Sequence, residues 1–118
     1  MNTKLTNILF VIYILLITIV SSIHGNNIPE LELFSLDKVL HILEYSLLGY
    51  LLINVLIDKT KYPGLLTFFL GSLFGVIDEI YQSTVFGRFP SSFDVIADVI
   101  GLTLSIILVQ KTSDIISR

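Results

Sequence analysis

The stretch LTNILFVIYILLITIVSSI, residues 5–23, contains no charged side chain. A helix needs about 20 apolar residues to cross the hydrocarbon core of a bilayer, because each residue advances it by only about 1.5 Å. The run is longer than the apolar core of a usual signal peptide, and no A-x-A-like cleavage site closes it. We therefore predict an uncleaved membrane span. A cleaved signal peptide, with Lys4 ahead of the apolar run, is the alternative.

The rest of the chain is nearly as apolar. Its 118 residues are 53% hydrophobic and 14% charged, with a mean hydropathy of +0.86. Soluble domains carry about 25% charged residues, so a bilayer is the better solvent for this chain. The length fits one domain, residues 1–118. Cysteine is absent, which excludes disulfides and thiol chemistry. A net charge of −3 without a basic patch argues against nucleic acid as a partner.

Three more apolar runs follow, separated by short polar connections, at residues 36–57, 63–82 and 92–109. Inside lipid the backbone can bond only to itself, which favours helices. Pro63 and the Ser91-x-x-Asp94 pattern both mark helix starts. The sequence thus predicts an all-α bundle of four transmembrane helices.

The basic residues predict the orientation of the bundle. The N-terminus, the second connection and the C-terminus carry Lys4, Lys59, Lys61, Lys111 and Arg118, whereas only Lys38 and Arg88 lie on the other side. Basic residues are enriched in cytoplasmic loops, so we expect a protein of the cell membrane with both termini on the cytoplasmic side. Four short spans are few for a transporter unless the chain forms a homo-oligomer, which the sequence leaves open.

Small residues on two spans predict close helix packing. Gly71 and Gly75 are four residues apart on the third span, and Ala97, Gly101 and Ser105 repeat this spacing on the fourth. Such stripes let helix backbones approach each other in lipid. We expect packing from these residues and no ligand role.

Polar residues recur at helical spacing on three spans. Positions i, i+4 and i+7 share one helix face, so each span can turn a polar stripe toward the others. With the predicted orientation these side chains reach similar depths in the outer half of the membrane. They are Asp37, His41 and Glu44 on the second span, Asp78 and Gln82 on the third, and Asp94 and Asp98 on the fourth.

This layer has an excess of acids. Six carboxylates, with Glu79 included, face the two basic residues Lys38 and Arg88, which gives −4 with His41 neutral. A carboxylate at mid-bilayer costs about 2.5–3.5 kcal/mol, so the excess must be relieved. Three effects could relieve this excess negative charge: protonation of some acids, contact with water, or a bound cation.

The motifs in this layer resemble those of the VanZ-like family of small membrane proteins, over residues 35–105. They are Asp37-Lys38-x-x-His41-x-x-x-Tyr45, Asp78-Glu79-x-x-Gln82, Gly87-Arg88-Phe89 and Asp94-x-x-x-Asp98-x-x-Gly101. One departure is Asp98, where the family usually has Asn, so a hydrogen-bond donor is missing there. The resemblance implies four membrane helices and a link to the cell envelope, since the founding member is associated with low-level resistance to the glycopeptide teicoplanin.

We expect a ligand site on the outer face. Its predicted residues are Asp37, Lys38, His41, Tyr45, Asp78, Glu79, Gln82, Arg88, Asp94 and Asp98. Acid–base chemistry, if there is any, would fall to His41, Glu44, Asp78, Glu79 or Asp98. No cofactor is predicted, but a divalent cation is left open, with His41, Asp78 and Asp98 as its ligands.

Three functions fit this layer. The first is binding of an envelope component, such as a lipid headgroup or a peptidoglycan precursor. In that case the Arg88 guanidinium binds an anionic group of the ligand. The structural alternative for Arg88 is an ion pair with Asp94 or with a lipid phosphate. The second is an intramembrane enzyme that modifies lipid by acid–base or metal-assisted chemistry. The chain has no H-E-x-x-H or G-x-S-x-G motif, which favours binding over catalysis. The third is a purely structural layer that fixes helix register.

Overall fold

Four helices make up the described part of the chain, which comprises residues 2–25, 34–89 and 91–116 of this computed structural model. They are α1 (Thr3–Ser21), α2 (Phe34–Leu56), α3 (Pro63–Gln82) and α4 (Ser92–Ile116). The predicted all-α, four-helix architecture is confirmed. Most of the first connection and Arg118, both of which enter the orientation prediction, lie outside the described residues.

The helix ends follow local sequence signals. The Asn2 side chain accepts a hydrogen bond of 2.9 Å from the Lys4 N–H and so caps α1. Pro63 occupies the first turn of α3, where its missing N–H costs nothing. Ser91 precedes α4, and its hydroxyl accepts a bond of 3.2 Å from the Phe93 N–H. The starts of α3 and α4 agree with the sequence prediction, whereas α1 begins two residues before the predicted span.

The fourth helix is longer than predicted. The apolar run ends at residue 109, but α4 continues to Ile116. The added residues include neither glycine nor proline, so no local signal ends the helix where the hydropathy falls. The predicted boundary was therefore the end of the apolar segment and not the end of the helix.

Helix α2 is central and packs against each of the other three helices. Its closest approach is to α4 at Gly101, where an added Cβ would collide with the backbone of Ile42 and lie 2.9 Å from the Ser46 nitrogen. On α3, Gly71 faces Leu102. The packing role predicted for the small residues is confirmed at these glycines.

The outward faces of the helices are apolar. Leu43 on α2, Ile80 on α3 and Leu108 on α4 are among the most exposed side chains. All four helices are long and apolar enough to cross a membrane. The buried core between them is small and includes Ile17, Tyr45, Leu48 and Leu102. Lipid rather than water is the solvent that matches this distribution.

Candidate functional site

Buried and partly buried polar side chains collect at one end of the bundle, where α2 and α4 begin and α3 ends. We call this group the polar layer. It consists of Asp37, Lys38 and His41 on α2, Asp78, Glu79 and Gln82 on α3, and Asp94 and Asp98 on α4. The polar stripes of α2 and α4 contact each other, and Glu79 joins α3 to the start of α4, whereas Gln82 bonds within α3 and to α1.

Lys38 joins α2 to α4 by an ion pair. Its ammonium donates to the Asp94 carboxylate and, at 3.0 Å, to Oδ2 of the neighbouring Asp37. The Lys38 and Asp94 side chains are only 17% and 8% exposed. A buried charge is tolerated when it is paired, so this contact accounts for two of the ionic groups in the layer.

His41 lies between two carboxylates of α4. Its Nδ1–H donates to Asp98 Oδ1 at 2.8 Å, and its Nε2 lies 3.8 Å from Asp94 Oδ1. The Asp98 side chain is 2% exposed. The hydrogen bond fixes the orientation of the imidazole ring and leaves Nε2 facing Asp94.

Glu79 joins α3 to the start of α4. Its Oε1 accepts a bond of 2.9 Å from the Ser91 N–H, and its side chain also meets that of Asp94. The other oxygen, Oε2, is buried and has no hydrogen-bond partner among the described residues. In a capping box, Asp94 itself would accept from the Ser91 N–H. Because Glu79 fills that position, the Asp94 carboxylate is left for Lys38.

Asp78 points inward, as predicted, and is part of a link to α1. Gln82 Nε2 donates to Asp78 Oδ2 at 3.0 Å and to Ser21 Oγ at 3.2 Å. No metal is predicted from the sequence, and His41, Asp78 and Asp98 are its ligands only if a cation binds. The structure brings ligand atoms of Asp37, His41 and Asp94 within 4.8 Å of one another.

Arg88 bonds to the end of α1. Its Nε donates to the Ile23 carbonyl at 3.0 Å and its Nη2 to the Val20 carbonyl at 2.7 Å. Gly87 supplies the turn before it with a φ of 76°, which favours glycine. The Arg88–Asp94 ion pair, one of two alternatives for this residue, is wrong, because Asp94 pairs with Lys38. The anion clamp stays a prediction.

The sequence model of the VanZ/LLP1 family matches residues 3–113. The chain belongs to this family. The match extends the resemblance from residues 35–105 to nearly the whole chain, including α1. Together with the four apolar helices, it establishes a multi-pass membrane protein. No curated protein and no solved structure matches the chain.

Helix α1 contributes polar contacts that the sequence analysis of this VanZ/LLP1 protein missed. The Tyr13 hydroxyl donates to the Glu44 carbonyl at 2.8 Å, and the hydroxyls of Ser22 and Tyr81 are 2.7 Å apart. Helix α1 has no charged residue after Lys4, so the charge pattern could not predict these contacts. The Ser21-Ser22 pair at its end was the available hint.

Two further predicted residues, Glu44 and Tyr45, lie deeper along α2. Tyr45 is fully buried, and its hydroxyl has no partner among the described residues. The Glu44 side chain is partly buried, and its hydrogen bond with Tyr13 uses only its backbone carbonyl. Neither side chain joins the direct ion pairs of the polar layer.

An open groove of about 300 Å³ lies between α3 and α4 beside the polar layer in this VanZ/LLP1 protein. Apolar side chains form one part of its lining, and Glu79 with three serines forms the other. The lining residues are Val76, Glu79, Ile80, Ser83, Ser91, Ser92 and Val95. The groove combines an apolar wall, suited to an acyl chain, with hydrogen-bonding groups at one level.

Proposed function

We propose that this protein binds the headgroup of a cell-envelope lipid in the groove between α3 and α4. The observation that carries the proposal is the lining itself, where Glu79, Ser83, Ser91 and Ser92 stand next to Val76, Ile80 and Val95. Ligand sites commonly pair an apolar wall with a few polar groups that fix orientation. A membrane lipid has the same division into acyl chain and headgroup.

The polar lining favours a headgroup that donates hydrogen bonds. Glu79 supplies a carboxylate, and Asp94 lies directly beside it. Carboxylates accept hydrogen bonds and attract cations, whereas they repel a second anion. The preferred ligand is therefore a lipid or peptidoglycan precursor that presents an amine or hydroxyl at this level.

The proposal includes the position in the cell. The positive-inside rule puts both termini in the cytoplasm, so the polar layer and the groove face the exterior of the cell membrane. Envelope lipids reach that face. Binding of such lipids by this protein would link it to glycopeptide resistance, the property associated with the founding member of the family.

Retention of phosphatidylethanolamine tests the proposal. We expect the purified protein to retain this lipid, whose headgroup carries an ammonium, over phosphatidylglycerol in native mass spectrometry. Val95→Trp fills the groove and should remove the preference. Leu104→Trp is the matched control, because Leu104 is exposed on the same helix and does not line the groove.

Equal retention of the two lipids, or a preference that survives Val95→Trp, would contradict the groove proposal. In cells, the Val95→Trp variant should also lose any protection against teicoplanin that the unchanged chain gives, while Leu104→Trp keeps it.

A second candidate function, an intramembrane acid–base enzyme, has one specific observation in its favour. The His41–Asp98 bond of 2.8 Å fixes the imidazole as a positioned base would be fixed. Recovery of a chemically altered lipid in the same experiment, lost in His41→Gln, would favour the enzyme over the binding protein.

A further inference from the structure

Three side chains at the mouth of α2 and α4 converge on a small volume. Ligand atoms of Asp37, His41 and Asp94 lie within 4.8 Å of one another. Ligands bound tetrahedrally to one Zn²⁺ at about 2.0–2.2 Å are about 3.3–3.6 Å apart. Small side-chain rotations therefore suffice to bring all three onto one ion.

The ring orientation of His41 matches that of a metal ligand. Its Nδ1 is bonded to Asp98 Oδ1, which leaves Nε2 as the ring atom that faces Asp94 at 3.8 Å. Metal-binding histidines usually donate their other ring N–H to a carboxylate or carbonyl, which fixes the ring and makes it a stronger ligand. Asp98 holds that position here.

Glu79 offers an independent indication. It is 8% exposed, its side chain meets that of Asp94, and its buried Oε2 has no hydrogen-bond partner among the described residues. A buried oxygen without a donor is costly, and a cation beside Asp94 would remove that cost.

We propose that Asp37, His41 and Asp94 form a binding site for one divalent transition-metal ion, with Glu79 beside Asp94 at the edge of the site. One imidazole nitrogen among carboxylate oxygens suits Zn²⁺, whereas Mg²⁺ and Ca²⁺ take all-oxygen sets. The site borders the lipid groove through Glu79, but it is argued from Asp37, His41 and Asp94 and not from the headgroup proposal.

Lys38 is the internal competitor for this site. Its ammonium contacts both Asp37 and Asp94, the two carboxylates that the ion would use. The ion must displace it, so Lys38 lowers the affinity. Methionine has a similar length without the charge, and Lys38→Met should release both carboxylates while it keeps the packing.

Zinc titration of the full chain in maltoside micelles, followed by calorimetry, tests the site, with the visible spectrum of Co²⁺ as a second readout. We expect one ion per chain. Lys38→Met should tighten binding by about tenfold or more, equal to about 1.4 kcal/mol. His41→Gln and Asp37→Asn should each weaken it by at least about tenfold, as loss of a supporting group alone does. Asp58→Asn, in the exposed α2–α3 connection, is the control and should change nothing.

The outcomes separate a site from chance binding. Because Asp37 is 43% exposed, Asp37→Asn is expected to fold even if His41→Gln does not. Zinc binding that is equal in the unchanged chain and in Asp37→Asn would be adventitious and would overturn the proposal. So would the absence of binding to the unchanged chain, or a Lys38→Met variant that binds no tighter. Lipid retention is measured separately, so either proposal can fail alone.

Discussion

At the scale of single residues, the polar layer combines contacts between helices with contacts within them. Glu79 of α3 accepts from the Ser91 N–H, Lys38 of α2 pairs with Asp94 of α4, and Asp98 accepts from His41. Lys38 also pairs with Asp37 on its own helix, and Gln82 donates to Asp78 within α3. Replacing one member of such a set affects the helix that supplies its partner.

Asp78→Asn distinguishes a binding layer from a purely structural one. The Asn oxygen can still accept from Gln82 Nε2, which lies 3.0 Å from Asp78 Oδ2. We expect the free energy of unfolding to change by less than about 1 kcal/mol, because the hydrogen bond is kept. Lipid retention should fall, since the layer loses one negative charge.

Thermal unfolding of Asp78→Asn and of Asp78→Ala checks this expectation, because only the alanine variant deletes the acceptor. A large loss of stability in Asp78→Asn itself, with lipid retention unchanged, would favour the structural function.

Sequence spacing predicted some residues of the layer better than others. His41 and Asp98 could be paired because each sits on a polar stripe of an otherwise apolar helix. The partners of Arg88 could not be predicted, since they are backbone carbonyls at the end of α1, which every sequence offers. Which carboxylates converge with His41 could not be predicted from spacing, because Lys38 joins Asp37 and Asp94, while Gln82 bonds Asp78 on α3.

At the scale of helices, the contact between α2 and α4 sets the geometry of the site. Gly101 lets the two backbones touch one turn below Asp98 and close to His41. The same pair of helices carries the Lys38–Asp94 and His41–Asp98 bonds. Their separation therefore decides whether the polar stripes meet.

Gly101→Ala is expected to destabilise the bundle. Its Cβ would press on the backbone of Ile42 and Ser46, which cannot rotate away as a side chain can. Overpacking of this kind costs about 1–3 kcal/mol. Thermal or denaturant unfolding should show the loss, and zinc affinity should fall with it.

Ile100→Ala is the matched control, because Ile100 is adjacent in sequence and turned outward. Equal stabilities of the two variants would mean that α2 and α4 are not in the close contact described here.

The helix boundaries show which physical signals the sequence carries. The third span agrees with α3 at both ends, since Pro63 starts it and polar residues follow Gln82. The predicted end of α4 is about two turns too early. Hydropathy indicates where the membrane-embedded segment ends, whereas a helix ends at a capping residue or at a glycine or proline.

At the scale of the whole molecule, the orientation in the membrane decides which compartment the polar layer serves. The chain has no native cysteine, so single introduced thiols can report it. Thr84 lies in the α3–α4 connection beside the layer, and Asp58 lies in the connection at the opposite end. Both are exposed.

We expect a membrane-impermeant thiol reagent to label Thr84→Cys in intact cells. Asp58→Cys should be labelled only after the membrane is opened, because the positive-inside rule puts its connection in the cytoplasm. The reverse pattern would place the groove and the metal site on the cytoplasmic side and would separate them from surface lipids.

The attachment of Arg88 to α1 has a consequence for selectivity. A phosphate that binds this guanidinium must displace it from the carbonyls of Val20 and Ile23. The Ile23 carbonyl would then need a new donor, whereas the Val20 carbonyl keeps its bond from the Ile23 N–H. Only an anionic ligand meets this cost of breaking the Arg88 hydrogen bonds, because a cationic ligand does not draw the guanidinium away. We therefore expect the bond between the first helix and the last loop to disfavour anionic ligands beside it.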